Sequence, residues 1–178
     1  MSWIGTYTGE KFVFNNIEKN KIHIEDIAHS LSMLCRYNGH CKKFYSVAEH
    51  SILVSSVLLD ELKIHGLLHD AAEAFISDIP KLFKKTIPNI KETEELILRH
   101  IYSELKIQYP SELEIRIIKV VDTRMLQTER KILMPDNDMV WGYMDDIKPY
   151  DNIKISNYLP DNAKLFFMKE YNILNKLK

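Results

Sequence analysis

Apolar positions along this chain recur with the period of a helix in most segments and with the period of a strand in one. From Ile24 to Arg36, "IEDIAHSLSMLCR", the residues Ile24, Ile27, Ala28, Leu31, Leu34 and Cys35 fall at helical spacing, which predicts a helix with one buried face. A loop containing Gly39 follows. Ser46 predicts the N-cap of a second helix, "VAEHSILVSSVLLD", with Glu49 completing a capping box and Val47, Ile52, Val54, Val57 and Leu58 supplying apolar contacts. A third helix is predicted from about Leu62 to Phe75, broken around "SDIP" at 77–80, and a fourth from Ile90 to Lys106, after Pro88 and Asn89. Ser111 and Glu114 form another capping box. They open a long amphipathic helix, "SELEIRIIKVVDTRMLQTERKIL", that turns Ile118, Val121, Met125 and Leu126 inward. The stretch from Pro135 to Pro160 reads mostly as loop and as a candidate lid, and "NAKLFFMKEYNIL" as a closing helix. The opening, "WIGTYTGEKFVF", has β-prone residues on both sides of a Thr-Gly turn and predicts a small hairpin. The expected fold is all-α.

A length of 178 residues suits one domain, with its core at about 24–134, a hairpin within 1–20, and a loop and helix over 135–178. Hydrophobic residues at 46%, charged residues at 28%, five glycines and six prolines match a helix-rich globular chain. A net charge of -1 argues against a protein that coats duplex phosphates and leaves room for a local basic pocket that takes a small anion. The two cysteines, Cys35 and Cys41, match neither a CxxC redox motif nor a zinc ribbon and are expected to be reduced thiols. With no signal-peptide pattern at the N-terminus and no apolar run near the roughly 18 residues of a membrane span, the expected location is cytoplasmic.

Candidate chemistry begins in "IHGLLHDAAEAFISDIP", residues 64–80, where His69 and Asp70 interrupt an apolar, alanine-rich stretch. Burying an ionised carboxylate costs several kcal/mol unless it is paired or bound to a metal, so an Asp on a core-facing helix needs a partner. Asp122 falls on the inward face of the long helix and raises the same question. Together with His50 and His69, the two acids form a set suited to a borderline divalent ion, one that leaves coordination positions open. The bland alternatives are a hydrogen-bonded core histidine and a capping or ion-paired acid.

"AEHS" at 48–51, "LLHDAAEAFISDIPKLFK" at 67–84 and "IKVVD" at 118–122 resemble the H…HD…D pattern of the HD-domain metal-dependent phosphohydrolases. The nearest in character are the bacterial 5'-deoxynucleotidases and the small phage enzymes that hydrolyse deoxynucleoside triphosphates. The resemblance covers roughly Ile24 to Arg130 and implies an HD-type helical bundle in which His50, His69, Asp70 and Asp122 bind the metal. It assigns the hydrolysis step to Glu73, which lies four residues after His69 and three after Asp70 and so shares their face of the predicted helix. By the same resemblance Asp78 orients substrate or water, although capping of the following turn would explain it equally. Arg36, expected at the end of the first helix, together with Lys84 and Lys119, is implied to hold phosphate.

Two departures stand out. His65 precedes His69 by one helical turn where relatives carry a small or apolar residue, and a core or surface role is the simpler reading. Tyr37 and His40 replace an Arg-Trp sequence common in the deoxynucleotidases, so base preference stays open. The expected activity is metal-dependent removal of phosphate from (deoxy)nucleoside 5'-phosphates, using Mn, Co, Fe, Ni, Zn or Mg. Triphosphohydrolase activity at the same site and a non-catalytic HD-like nucleotide-binding regulatory module are the alternatives. A cyclic-dinucleotide phosphodiesterase would be expected to carry further ligands. The expected partner is a small nucleotide, with no duplex nucleic acid and no membrane, and the chain is expected to form a homo-oligomer.

Overall fold

The computed structural model describes residues 3–135 and 146–176. It is all-α with a small antiparallel hairpin, β1 (Trp3–Gly5) and β2 (Lys11–Val13), paired in the register Trp3↔Val13. The turn places Gly9 at φ 89°, where a side chain would be strained. Buried Asp26 anchors it by accepting from the Thr8 amide at 2.7 Å and the Thr8 hydroxyl at 3.0 Å.

Among the described residues eight α-helices follow. They are α1 (Ile24–Met33), α2 (Val47–Ser56), α3 (Asp60–Leu68), α4 (Glu73–Ile76), α5 (Lys81–Lys84), α6 (Ile90–Glu104), α7 (Glu112–Leu133) and α8 (Pro160–Lys176). Among the described residues no helix is long and apolar enough to cross a membrane. The main core joins Phe12 of the hairpin to Ile27 and Leu31 of α1, Val47 and Ala48 of α2, Leu67 and Leu68 of α3, Ile97 and Ile101 of α6, and Phe167 of α8. A smaller cluster packs Val54, Leu58 and Leu62 against Ile118 and Met125, and so seats α7 on α2 and α3. Val121 and Leu126, expected inward, are only half-buried, while Leu113, Ile117 and Val120 on the first half of α7 are exposed.

Several boundaries depart from the periodicity. Helix α1 stops at Met33 because Leu34 is extended and Cys35 pairs with Ser46 in an isolated antiparallel bridge. Arg36 therefore opens a short 3-10 turn, Arg36–Gly39, with its amide donating to the Tyr45 carbonyl at 2.9 Å, and is not a helix terminus. The third predicted helix is divided. Residues 69–72 form turns between α3 and α4, and Ser77, at φ 74° and ψ 160°, ends α4 in a conformation that costs a side-chain-bearing residue about 1–3 kcal/mol. The capping box of α2 is half-made: Ser46 Oγ accepts from the Glu49 amide, while the Glu49 side chain turns to the segment before α8. The box on α7 is complete, with the Ser111 and Glu114 side chains each accepting from the other's amide. Of the expected loop and lid over Pro135 to Pro160, residues 136–145 lie outside those described, and 146–159 carry neither helix nor strand.

Candidate metal centre

Three helices and one turn supply the site. Helix α2 carries His50 in its first turn, where Val47, Ala48, Glu49, His50 and Ser51 are all buried. Helix α3 approaches α2 at Gly66; a Cβ there would lie 2.4 Å from Leu58 Cδ1 and 3.1 Å from Ser55 Cα. That contact sets how near His69, at the end of α3, comes to His50. Helix α7 presents buried Asp122 from the face it packs on α2 and α3.

The polar atoms converge. His50 Nε2 is 3.3 Å from Asp122 Oδ1 and 3.6 Å from Asp70 Oδ2, and His69 Nε2 is 3.8 Å and 3.2 Å from the same two oxygens. Donor atoms of His50, His69 and Asp122 lie within 4.8 Å of one another, a group that could hold a metal ion. Asp70 sits beside that trio. Each imidazole commits its other nitrogen elsewhere: His69 Nδ1 donates to the Gly66 carbonyl at 2.7 Å, and His50 Nδ1 to Glu129 Oε1 at 2.5 Å. Acceptor-only partners require the hydrogen on Nδ1, and a neutral ring then offers its Nε2 lone pair to the centre. Both Nε2 atoms are buried and make no hydrogen bond of good geometry. Buried polar atoms seldom stay so, and this pair, with carboxylates alongside, fits a divalent cation.

Without a cation the same groups hold one another by charge. Burial opposes a charge on His69, but Asp70 and Asp122 outweigh it and raise its pKa to about 10. Burial likewise pushes Asp70 and Asp122 upward and is outweighed, for Asp70 chiefly by His69 and for Asp122 by the adjacent imidazoles of His50 and His69, so both carboxyls titrate below their ordinary range. A cation would replace the protons as the partner of these acids.

Around the centre, Arg36 is buried, with Nη1 3.6 Å from Asp70 Oδ2 and 4.0 Å from Asp78 Oδ2. Glu73 is buried and its Oε2 has no hydrogen bond; burial first, then Asp70 and Asp78, raise its pKa well above that of an ordinary glutamate. Its Oε1 accepts from Lys84 Nζ at 3.4 Å, and Lys84 also pairs with Glu94 at 2.5 Å. Lys119 donates to Asp122 Oδ2. The two lysines expected to hold phosphate thus face carboxylates. His65 is buried against Tyr102, with Nδ1 3.3 Å from the phenol oxygen, and His40 is exposed. Cys35 and Cys41 are free thiols with their sulfurs 3.7 Å apart.

Sequence reasoning missed Glu129 and Tyr45. Glu129 is wholly buried on α7 and accepts from Tyr45 OH at 2.7 Å and Tyr37 OH at 3.2 Å. Its signal was available: it follows Asp122 by two turns on the same helix face. Glu49 was read only as a capping residue. It accepts from the amides of Ser156 at 2.7 Å, Asn157 at 3.0 Å and Tyr158 at 2.8 Å and so ties α2 to the approach to α8.

No family model matches the chain. It is similar to an uncharacterized protein of Rhodobacter capsulatus, 27% identical over 162 residues that span 82% of each chain. It is also 36% identical over 181 residues to the uncharacterized protein YfdR of Escherichia coli, an alignment that takes in 100% of this chain and 98% of that one. At that identity over nearly the whole of both chains, this protein belongs to the YfdR family.

Proposed function

We propose that this protein is an HD-type metal-dependent phosphohydrolase acting on (deoxy)nucleoside 5'-phosphates. The observation that carries the reading is the pair of buried, unbonded imidazole Nε2 atoms facing the carboxylates of Asp70 and Asp122, with the Arg36 guanidinium alongside. His50, His69, Asp70 and Asp122 would hold the ion, of the class Mn, Co, Fe, Ni, Zn or Mg. When bound, such an ion polarises a phosphoryl oxygen and makes a neighbouring water more acidic. Arg36 supplies a planar, permanently charged fork for the phosphoryl oxygens, held by Asp70 and Asp78 at the mouth of the centre. Glu73, whose pKa burial and the carboxylates of Asp70 and Asp78 raise well above that of an ordinary glutamate, can donate a proton to the leaving oxygen. Lys84, between Glu73 and Glu94, orients that carboxyl, and Lys119 offsets the charge of Asp122.

Phosphatase action on monophosphates leads, and triphosphate release from deoxynucleoside triphosphates by the same groups is the second reading. A cytoplasmic location and a homo-oligomer complete the proposal. Metal analysis of purified protein, followed by assay of phosphate, pyrophosphate and triphosphate release across a nucleotide panel, tests it. Stoichiometric divalent metal and release of one of the three products are expected. Metal binding without turnover on any nucleotide would favour a binding module, and absence of metal affinity would overturn the centre.

A further inference from the structure

Glu129 touches both halves of the candidate site. Through Oε1 it accepts from His50 Nδ1 at 2.5 Å and from Tyr45 OH at 2.7 Å. Through Oε2 it accepts from Tyr37 OH at 3.2 Å and lies 3.4 Å from Arg36 Nε, close enough for an ion pair though not aligned for a hydrogen bond. The carboxylate is completely buried. Burying it would cost several kcal/mol without partners, and the groups it contacts, His50, Tyr45, Tyr37 and Arg36, supply donors and a cation. Tyr37 also occupies the left-handed region at φ 56° and ψ 28°, costly for an aromatic residue, and its hydroxyl ends on Glu129.

We infer that Glu129 is a positioning residue that couples the metal and anion halves of the centre, one carboxylate oxygen setting His50 and the other setting the Arg36–Tyr37 turn. This inference rests on the metal-centre reading above. A carboxylate only accepts, so it holds the hydrogen on His50 Nδ1 and keeps the Nε2 lone pair turned toward His69 and Asp122. Through the ion pair on its other side it limits where the Arg36 guanidinium can swing, which keeps Nη1 near Asp70. Metal affinity and anion affinity therefore share one support. A purely structural acid in the same place would stabilise the fold and leave both affinities unchanged.

Glu129→Gln separates the two roles. A carboxamide keeps the shape but has one accepting and one donating end, so it cannot accept on both sides. If its nitrogen faces Tyr37 and Arg36, it meets the donor-only guanidinium and the ion pair is lost. If the nitrogen faces His50, the ring must take the other tautomer and turn N–H toward the centre. Calorimetric titration of metal-stripped protein with Mn2+ alone should give a Kd about 10–100-fold weaker than wild type. Inorganic phosphate, titrated at saturating Mn2+, should bind about tenfold more weakly, because Arg36 loses the ion-pair partner that limits its swing. Should the Gln variant fail to fold, Glu129→Asp retains the charge with shorter reach and is expected to weaken Mn2+ binding in the same direction. Variants that bind Mn2+ within twofold of wild type while melting lower in metal-free form would overturn the inference and leave Glu129 a structural acid. A wild-type protein that takes no divalent ion overturns it as well. Wild-type protein that binds Mn2+ but hydrolyses no nucleotide removes the hydrolase reading alone, because these titrations need no turnover.

Discussion

Glu73 carries the sharpest chemical expectation at the scale of one residue. Its carboxyl is buried beside Asp70 and Asp78, which raises its pKa, and it is bonded through one oxygen to Lys84 while the other makes no hydrogen bond. A buried carboxyl with a raised pKa beside that centre is suited to give a proton to a departing oxygen, a contribution of about 10²–10⁴ in rate. Glu73→Gln removes the transferable proton, keeps the shape and takes away no metal donor. Single-turnover assays should show a fall in rate within that range, with metal content and melting temperature held near wild type. A loss below threefold would move proton transfer to Asp78. Asp78 is the alternative because Ser77 holds a strained backbone beside it and Arg36 faces its carboxylate at 4.0 Å.

The approach of α3 to α2 decides whether the two imidazoles can share an ion at the scale of elements. Gly66 permits it, and its carbonyl also holds His69 Nδ1 at 2.7 Å. In Gly66→Ala the new methyl would meet the end of Leu58, which can turn, and the Ser55 backbone, which cannot. Overpacking of this kind costs about 1–3 kcal/mol. Urea unfolding should register that loss, and metal titration of the folded variant should show weaker binding as the carbonyl and His69 are pushed from α2. An unchanged unfolding midpoint would mean that the helices have slack at this contact. Glu49 plays a complementary part, since its three amide partners fasten residues 156–158 over the head of α2 and fix the entry of α8.

Charge in the centre links the stability of the whole molecule to pH, and would link it to an ion bound there. In the metal-free protein the protonated His69 is stabilised by Asp70 and Asp122, with a pKa of about 10 against about 6.5 for a free imidazole. A raised pKa means that the folded state binds the extra proton. The stabilisation is complete below about pH 6.5 and is lost as pH climbs through about 10. A metal-bound form would need the neutral ring and would have no such proton to lose. Chelation should therefore lower the melting temperature, and the gap between metal-loaded and stripped protein should widen from pH 6.5 toward pH 9.5. At a hundredfold excess of metal over its Kd the stabilisation would be about 2.7 kcal/mol. Scanning calorimetry across that pH range checks both statements, and a gap that is absent or constant with pH would contradict them.

What the sequence determined by itself is what acts within a few residues: apolar spacing located α1, α2, α3, α6, α7 and α8, Ser111 with Glu114 marked the start of α7, and the Thr-Gly turn marked the hairpin. The candidate ligands were legible too, because an Asp among apolar neighbours on a helix raises the question of its partner wherever it stands. Tertiary structure decided the partners. Glu49 obeys the local rule for a capping box until amides 107 to 109 residues away offer its side chain a buried site, and those bonds win. Arg36 continues a helical pattern until Cys35 bridges to Ser46 and draws the chain into a turn. Glu129 looks like one more charge on a long helix until His50, 79 residues earlier, and Tyr45, 84 residues earlier, are brought onto its oxygens. A buried charge is tolerated only where the fold delivers its partners, and partners so far apart along the chain leave no mark in local periodicity.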